Sequence, residues 1–301
     1  MEMLCCPVCK SPITCNEGKC VCRNGGHVYC EKDGIIQFTG TATSGERYFP
    51  DTGFDLLYKS EEKNFWFRVR NNIIGNTITQ YVSSQPRILE VGSGTGFVSR
   101  HLKQLGFHME CADLFFEALQ FCKVRNSGCA YYQYNLADRI FLDEFDAVCA
   151  FDVLEHINDD VLILRNTYAA LKQGGFLFIT VPADMRLWSE MDVFSEHKRR
   201  YSAQDLQEKL ESAGFKVIKM SYFMTLLFPI LLLSRKILFL KGKMNPKESE
   251  KIFQQQAMNE LQPNRILNAL FYLIFSLEVP LLRSFNFQFG SSLLCVAVKE
   301  P

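Results

Sequence analysis

Three groups of residues in this 301-residue chain are spaced for chemistry. The first is Glu90-Val91-Gly92-Ser93-Gly94-Thr95-Gly96, preceded by the apolar pair Ile88-Leu89. Alternating glycines let a ligand touch backbone where a Cβ would collide, and they allow dihedrals that other residues avoid. The stretch reads as a buried strand that turns sharply into a helix beginning near Thr95, with the turn as a cofactor seat. A dinucleotide fingerprint does not fit, because its last glycine would fall on Phe97. The second group is Cys6-Pro7-Val8-Cys9, followed by Cys20, Cys22, His27 and Cys30. Two short loops with soft ligands suit tetrahedral zinc. The expected set is Cys6, Cys9, Cys22 and His27, which would make the metal structural. Cys20 or Cys30 remain as substitutes, and a degenerate site without metal is the competing reading. The third group is the imidazoles His156 and His197, since an imidazole can take a proton near neutral pH.

Regular elements must position these groups. From Pro86 onward, strands and helices alternate in the way that gives a parallel α/β sheet with helices on both faces. Strands are expected at 87–91, 108–112, 129–134, 145–151, 176–181 and 215–219, and helices at 96–105, 116–125, 159–171 and 203–213. The second strand delivers Asp113, 23 positions after Glu90, to the sheet edge, where a carboxylate can accept from both ribose hydroxyls. The fourth ends in Asp152-Val153-Leu154-Glu155-His156-Ile157. Residues 183–202 form a long connection at the same edge, where substrate contacts commonly sit. The last strand is expected at Ser292–Lys299, completing seven.

The G-x-G-x-G form, with Glu90 and Asp113, closely resembles motif I of the class I S-adenosylmethionine methyltransferases. The string Asp152 to Ile157 matches a segment of small-molecule methyltransferases such as those of quinone biosynthesis. This resemblance covers residues 86–220 and the final strand. It implies a Rossmann-like, doubly wound, seven-stranded sheet and S-adenosyl-L-methionine as cofactor. The implied cofactor-binding residues are Glu90, Gly92, Gly94, Thr95, Gly96, Asp113 and Leu114, with Asn135 and Leu136 beside the adenine and Asp152 at the methionine end. In relatives a His-x-x-x-Tyr pattern, here His197 and Tyr201, faces the acceptor pocket. His197, or failing it His156, is therefore expected as the catalytic base. The rival readings are that His156 braces its turn, and that His197 orders the loop while Lys198 to Arg200 form a solvated charge run. The stretch Cys22 to Tyr29, followed by Gly34-Ile35-Ile36, resembles the zinc ribbon of the ribosomal-RNA guanine methyltransferases, with a slightly longer gap between Cys22 and His27.

The expected organisation is a zinc-ribbon-like module at 1–40, a linker and helical lid at 41–85, the methyltransferase core at 86–220, an apolar helical insertion at 221–285 and the final core strand at 286–301. In the lid, Phe65-Trp66-Phe67 cannot all face one core, so at least one covers something else. The insertion carries apolar stretches at 222–240 and 266–282, neither of which is a clean spanning helix. Arg235, Lys236, Lys241 and Lys243 beside them fit peripheral contact with a membrane interface; burial against the domain or a dimer partner is the alternative. Topology starts the insertion near the acceptor pocket, so a small or lipid-linked acceptor is expected, with oxygen as the accepting atom.

Lys+Arg and Asp+Glu each total 33, so no overall field favours nucleic acid. An RNA methyltransferase using the ribbon and a non-catalytic assembly module are the alternatives. The first residues lack signal-peptide character, which predicts a cytoplasmic chain, peripheral at the inner face of the membrane. Seven of twelve cysteines fall in the first thirty positions, which in a reducing compartment favours metal over disulfides.

Overall fold

The computed structural model describes residues 4–16, 18–38, 53–82, 85–240 and 264–300. The linker expected at the start of the 41–85 segment lies outside these residues as far as 52, as do Lys241 and Lys243. Strands β1 (Ile13–Asn16), β2 (Lys19–Cys22), β3 (Val28–Lys32) and β4 (Ile35–Gln37) form an antiparallel meander. The core strands are β5 (Arg87–Val91), β6 (His108–Asp113), β7 (Ala130–Gln133), β8 (Phe145–Phe151), β9 (Leu171–Pro182), β10 (Lys216–Phe223) and β11 (Ser292–Val298). All eleven join one sheet in the order β1-β2-β3-β4-β7-β6-β5-β8-β9-β11-β10.

The seven expected strands are thus present, but the sheet has eleven. β4 pairs in parallel with β7, Ile36 opposite Tyr132, and so covers an edge that would otherwise expose unpaired backbone groups. Leu4, Cys6, Ile13 and Phe38 pack in one core cluster with Leu89, Tyr132 and Phe141. The N-terminal module is fused to the core through both hydrogen bonds and side chains. β9 begins at Leu171, earlier than the glycine pair suggested, because Leu171 pairs with Phe145 before a register shift absorbs the extra residues.

Helices α1 (Gly53–Ser60), α2 (Phe65–Tyr81), α3 (Phe97–Gln104), α4 (Phe116–Arg125), α5 (Asp160–Ala170), α6 (Glu190–Phe194) and α7 (Ala203–Ser212) precede the insertion. Their starts follow local chemistry: Asp159 accepts from Leu162 N at 3.0 Å and Ser202 from Asp205 N at 3.1 Å. The insertion forms α8 (Leu227–Leu240), α9 (Arg265–Ser276) and α10 (Glu278–Ser284).

α9 and α10 lie on α2. Phe65 stacks on Phe275 with ring centroids 5.6 Å apart and meets Phe271 edge-on at 5.2 Å. Phe65 N donates to Asn268 Oδ1 at 2.7 Å, and Arg68 lies 3.9 Å over the Tyr272 ring. Of the three successive aromatics, Phe65 therefore serves the insertion, while the Trp66 ring faces Arg70 at 5.3 Å.

Candidate functional site

The parallel strands β5, β6 and β8 end at one sheet edge, and their last residues build the site. Gly92, Gly94 and Gly96 all have positive φ, at 65°, 52° and 76°. A Cβ at Gly92 would meet Val153 Cγ2 at 2.4 Å, and one at Gly96 would meet Asn126 Nδ2 at 2.4 Å. A Cβ at Gly94 would enter open space. Two glycines are thus demanded by packing, while the middle one keeps a cradle clear for a ligand.

Asp113, at the end of β6, accepts from Gly94 N at 2.8 Å and from Phe115 N at 2.9 Å. Burial pushes its carboxyl up to about 6 against the pull of these amides. Leu114 follows it and accepts from Gln133 Nε2 through its carbonyl at 3.0 Å. Glu90 is buried beneath the turn and accepts from Ser99 Oγ of α3. Burial raises it to about 7, opposed by Ser99 and by Arg70. Thr95 is turned inward: its hydroxyl donates to Glu61 Oε2 at 2.5 Å and accepts from Arg125 Nη1 at 2.7 Å. Glu61 and Arg125 also pair directly, which ties the end of α1 to the glycine turn. No spacing pattern marked either residue beforehand.

Asn135 sits just beyond β7, and its side chain accepts from Ala137 N at 3.0 Å. Leu136 lines an internal void of about 10 Å³ with Val91, Tyr134 and Ile163, room for one water at most.

Asp152 leaves β8 in a left-handed conformation, φ 56°. Its Oδ2 pairs with Arg70 at 2.7 Å and its Oδ1 accepts from Thr180 at 3.2 Å. Arg70 of α2, the helix expected as a lid, therefore reaches the sheet edge.

Residues 154–156 form a short 3-10 turn that buries Glu155 completely. Among the described residues neither Glu155 oxygen has a hydrogen-bond partner from another residue, and burial, then Asp152, pushes its carboxyl well above the usual range. His156 meets His197 edge-to-face, ring centroids 4.8 Å apart. Its Nδ1 is buried and unpartnered, and burial, then His197, lowers it to about 3, so it stays neutral.

His197 Nδ1 lies 2.9 Å from Asp192 Oδ1. Asp192 is buried, which opposes ionisation, yet its bonds to His197 and to Arg200 hold it down at about 2. Arg200 grips it with Nε at 2.7 Å and Nη2 at 3.0 Å. Asp192 was not anticipated, although Ser189-x-x-Asp192 is a capping-box spacing and does cap α6. Arg199 pairs with Asp160 at 2.8 Å, so the arginines are not a solvated run. Tyr201 corrects the His-x-x-x-Tyr reading: it is fully buried and donates to Asp160 Oδ2 at 2.7 Å, anchoring the loop rather than facing an acceptor. A cleft of about 330 Å³ beside this loop is lined by Asp184, Met185, Arg200, Ser202, Asp205 and Tyr222.

At the other end of the chain, Cys6, Cys9, Cys22 and His27 gather with their ligand atoms within 4.8 Å of one another. Cys9 Sγ is 3.2 Å from Cys22 Sγ, and Cys6 Sγ is 3.5 Å from His27 Nδ1. The Ser11 hydroxyl and backbone, with Cys22, draw the Cys9 thiol down to about 6, toward the thiolate that metals bind. The long Cys22–His27 gap closes because Gly25 and Gly26 turn tightly and Cys22 N donates to His27 O at 2.9 Å. A Cβ at Gly25 would strike His27 Nδ1 at 2.5 Å. Cys20 is excluded from the set by a disulfide to Cys15, its direct cross-strand neighbour in the β1–β2 hairpin. That bond corrects the expectation of metal over disulfides for this pair. Cys30 is exposed and outside the cluster.

Residues 41–220 match the profile of a family described as a methyltransferase domain. A probable S-adenosylmethionine-dependent methyltransferase of Mycolicibacterium smegmatis is 25% identical over 171 residues, 56% of this chain and 66% of that protein. A ubiquinone biosynthesis O-methyltransferase of Xanthomonas axonopodis pv. citri is 30% identical over 112 residues, 34% of this chain and 47% of that one. The chain spans less than two thirds of the length of either relative. The solved Haemonchus contortus phosphoethanolamine N-methyltransferase 2, in complex with S-adenosyl-L-methionine, shares the fold: TM-score 0.53 at 20% identity over 84% of this chain and 58% of that one.

Proposed function

The chain belongs to the methyltransferase-domain family as an S-adenosylmethionine-dependent enzyme, and from that premise we propose that it methylates an oxygen of a small or lipid-linked acceptor at a membrane surface. The observation that carries this reading is the convergence on one sheet edge of the Gly94 cradle, Asp113 and Asp152 with His197 held by the buried Asp192.

S-adenosylmethionine, when bound, supplies a methyl group on an already activated sulfonium, so the protein's task is alignment, exclusion of water and removal of one proton. Asp113 would take the ribose hydroxyls, and the open space at Gly94 would give them room. Asn135 and Leu136 would flank the adenine. Asp152 and Arg70 offer one negative and one positive group to the amino and carboxylate ends of the methionine. Glu90 and Thr95 act one layer behind, holding α3 and α1 against the turn. Asp192 fixes the His197 ring through Nδ1 and leaves Nε2 as the base for an acceptor hydroxyl. His156, whose burial lowers its pKa to about 3 so that it takes a proton only in acid, is the weaker candidate.

The apolar face of the insertion supports a greasy acceptor. The helical run 265–284 is long and apolar enough to cross a membrane by length and composition. One side of it is committed to the protein, however: Phe275 and Leu282 are buried, and buried Glu278 accepts from Met224 N at 2.7 Å and Thr225 N at 2.9 Å. The opposite side presents Ile266, Leu270, Leu273, Leu277 and Leu281, with Ile266 79% exposed. A helix docked on one side and greasy on the other fits an interfacial position, with Arg235, Lys236, Arg265 and Arg283 toward anionic headgroups. In the ribbon, Cys6, Cys9, Cys22 and His27 would hold a structural zinc.

The test is transfer of labelled methyl from S-adenosylmethionine into a lipid extract, with RNA as the parallel substrate. Label is expected in lipid for the wild type, and Asp113→Ala should bind cofactor about 10- to 100-fold more weakly through loss of charge-assisted hydrogen bonds. Label in RNA alone, or recovery of the whole protein in the supernatant after sedimentation with anionic liposomes, would sink the membrane-acceptor reading.

A further inference from the structure

Glu155, His156 and His197 offer one carboxylate oxygen and two ring nitrogens within 4.8 Å of one another. We propose that these three residues bind a divalent cation of the manganese, iron or zinc class, clamping the 183–202 loop to the end of β8.

The first support is the state of Glu155. It is 0% exposed, and among the described residues neither of its oxygens has a partner from another residue. An isolated buried carboxylate is costly, so something must neutralise it. The nearby guanidinium groups do not bond to it. Arg70 is engaged by Asp152 at 2.7 Å, and Arg200 grips Asp192 through two nitrogens. Three carboxylates, Glu155, Asp152 and Asp192, thus share two guanidinium groups, and Glu155 is the one left without a cationic hydrogen-bond partner among the described residues, so a proton or a bound cation must neutralise it.

The second support is the pair of rings. His156 Nδ1 is buried without a partner, so a lone pair points into the protein with nothing to meet it. His197 has Nδ1 on Asp192 at 2.9 Å, which leaves Nε2 as the ring nitrogen open to a ligand among the described residues. A carboxylate on the far nitrogen of a histidine is the usual outer-shell device that fixes a metal-binding ring and raises its basicity. One carboxylate and two imidazoles are a donor set for divalent manganese, iron or zinc, with positions left open for a further ligand. The thiolate cluster in the ribbon is a different, softer donor set elsewhere on the sheet.

The methyl-transfer reading matters only to the consequence of this site. With a cation in place His197 becomes a ligand, and the cation takes over the task of making an acceptor hydroxyl acidic.

The experiment uses the full chain as purified. Its metal content is measured, and Mn²⁺ is then titrated while the free ion is followed by electron paramagnetic resonance. Mn²⁺ is the probe because thiolates compete poorly for it. A resident or added cation should be present in the wild type and lost in Glu155→Gln, a nearly isosteric change. Asp192→Asn should weaken binding about 10- to 100-fold. Addition of Mn²⁺ should also raise the thermal midpoint of the wild type and leave that of Glu155→Gln unmoved. Calorimetry with S-adenosylmethionine on Glu155→Gln reports separately: retained binding shows a folded enzyme whose cation site alone has gone. Should Glu155→Gln fail to fold, His156→Gln replaces it. Absence of resident metal together with no Mn²⁺ uptake, or uptake unchanged in these variants, overturns the proposal, whatever the outcome for methyl transfer.

Discussion

At Asp152 the backbone takes a left-handed conformation at φ 56°, which costs a non-glycine residue about 1–2 kcal/mol. The strain is offset by Arg70 and Thr180, which hold the carboxylate at the sheet edge, where a charged ligand would use it. Glu90 makes a second residue-scale case. Burial raises its carboxyl to about 7, against about 4.3 for a free glutamate. The unfolded chain gives up this proton first, so the contribution to stability is full below about pH 4.5 and is lost as pH rises through about 7. The thermal midpoint is expected to fall between about pH 4.5 and about pH 7, and Glu90→Gln should flatten the slope. Asp113, raised to about 6, adds a smaller share of the same sign. An unchanged slope in Glu90→Gln would show that its proton is not coupled to folding. The glycines and Asp113 could be recognised from spacing alone, since a cofactor turn and its carboxylate recur at fixed distances along the chain. Asp192 and Glu155 could not, because what marks them is burial and partnership rather than spacing.

The decisive element is α2. Its first turn docks the insertion through Phe65, its Arg70 pairs with Asp152, and Asn76 Nδ2 donates to Val279 O at 3.1 Å. One helix thereby links the cofactor edge to α9 and α10. Removing the Phe65 ring should cost about 3–5 kcal/mol, as for other buried aromatics. Phe65→Ala is therefore expected to lower the thermal midpoint and to speed amide exchange across 265–284 more than across β5 or β8. Equal acceleration everywhere would mean that the insertion is not a separate layer held by this helix. The sequence announced an aromatic lid; that its leading ring belongs to the insertion depended on a contact some 200 residues away, which periodicity cannot show.

Over the whole molecule, the meander of β1 to β4 continues the main sheet instead of standing apart. Zinc in the Cys6, Cys9, Cys22 and His27 set would fasten the outer end of that extension. Elemental analysis should find the metal, and Cys9→Ser should deplete it and raise amide exchange in β1 to β3 while β5, β6 and β8 stay protected. Full zinc content in that variant would remove Cys9 from the set. By itself the sequence determined the alternation of strands and helices, the glycine turn, the carboxylate opposite it and the gathering of Cys6, Cys9, Cys22 and His27. Each of these is written in short-range spacing, where neighbouring residues constrain one another directly. The tertiary structure decided the rest: eleven strands in one sheet, the cross-strand bond that removes Cys20, the inward turn of Tyr201 and the empty-handed carboxylate of Glu155. Those features come from which distant segments share an edge or a core, and burial is a property of the packed chain, which local spacing does not encode.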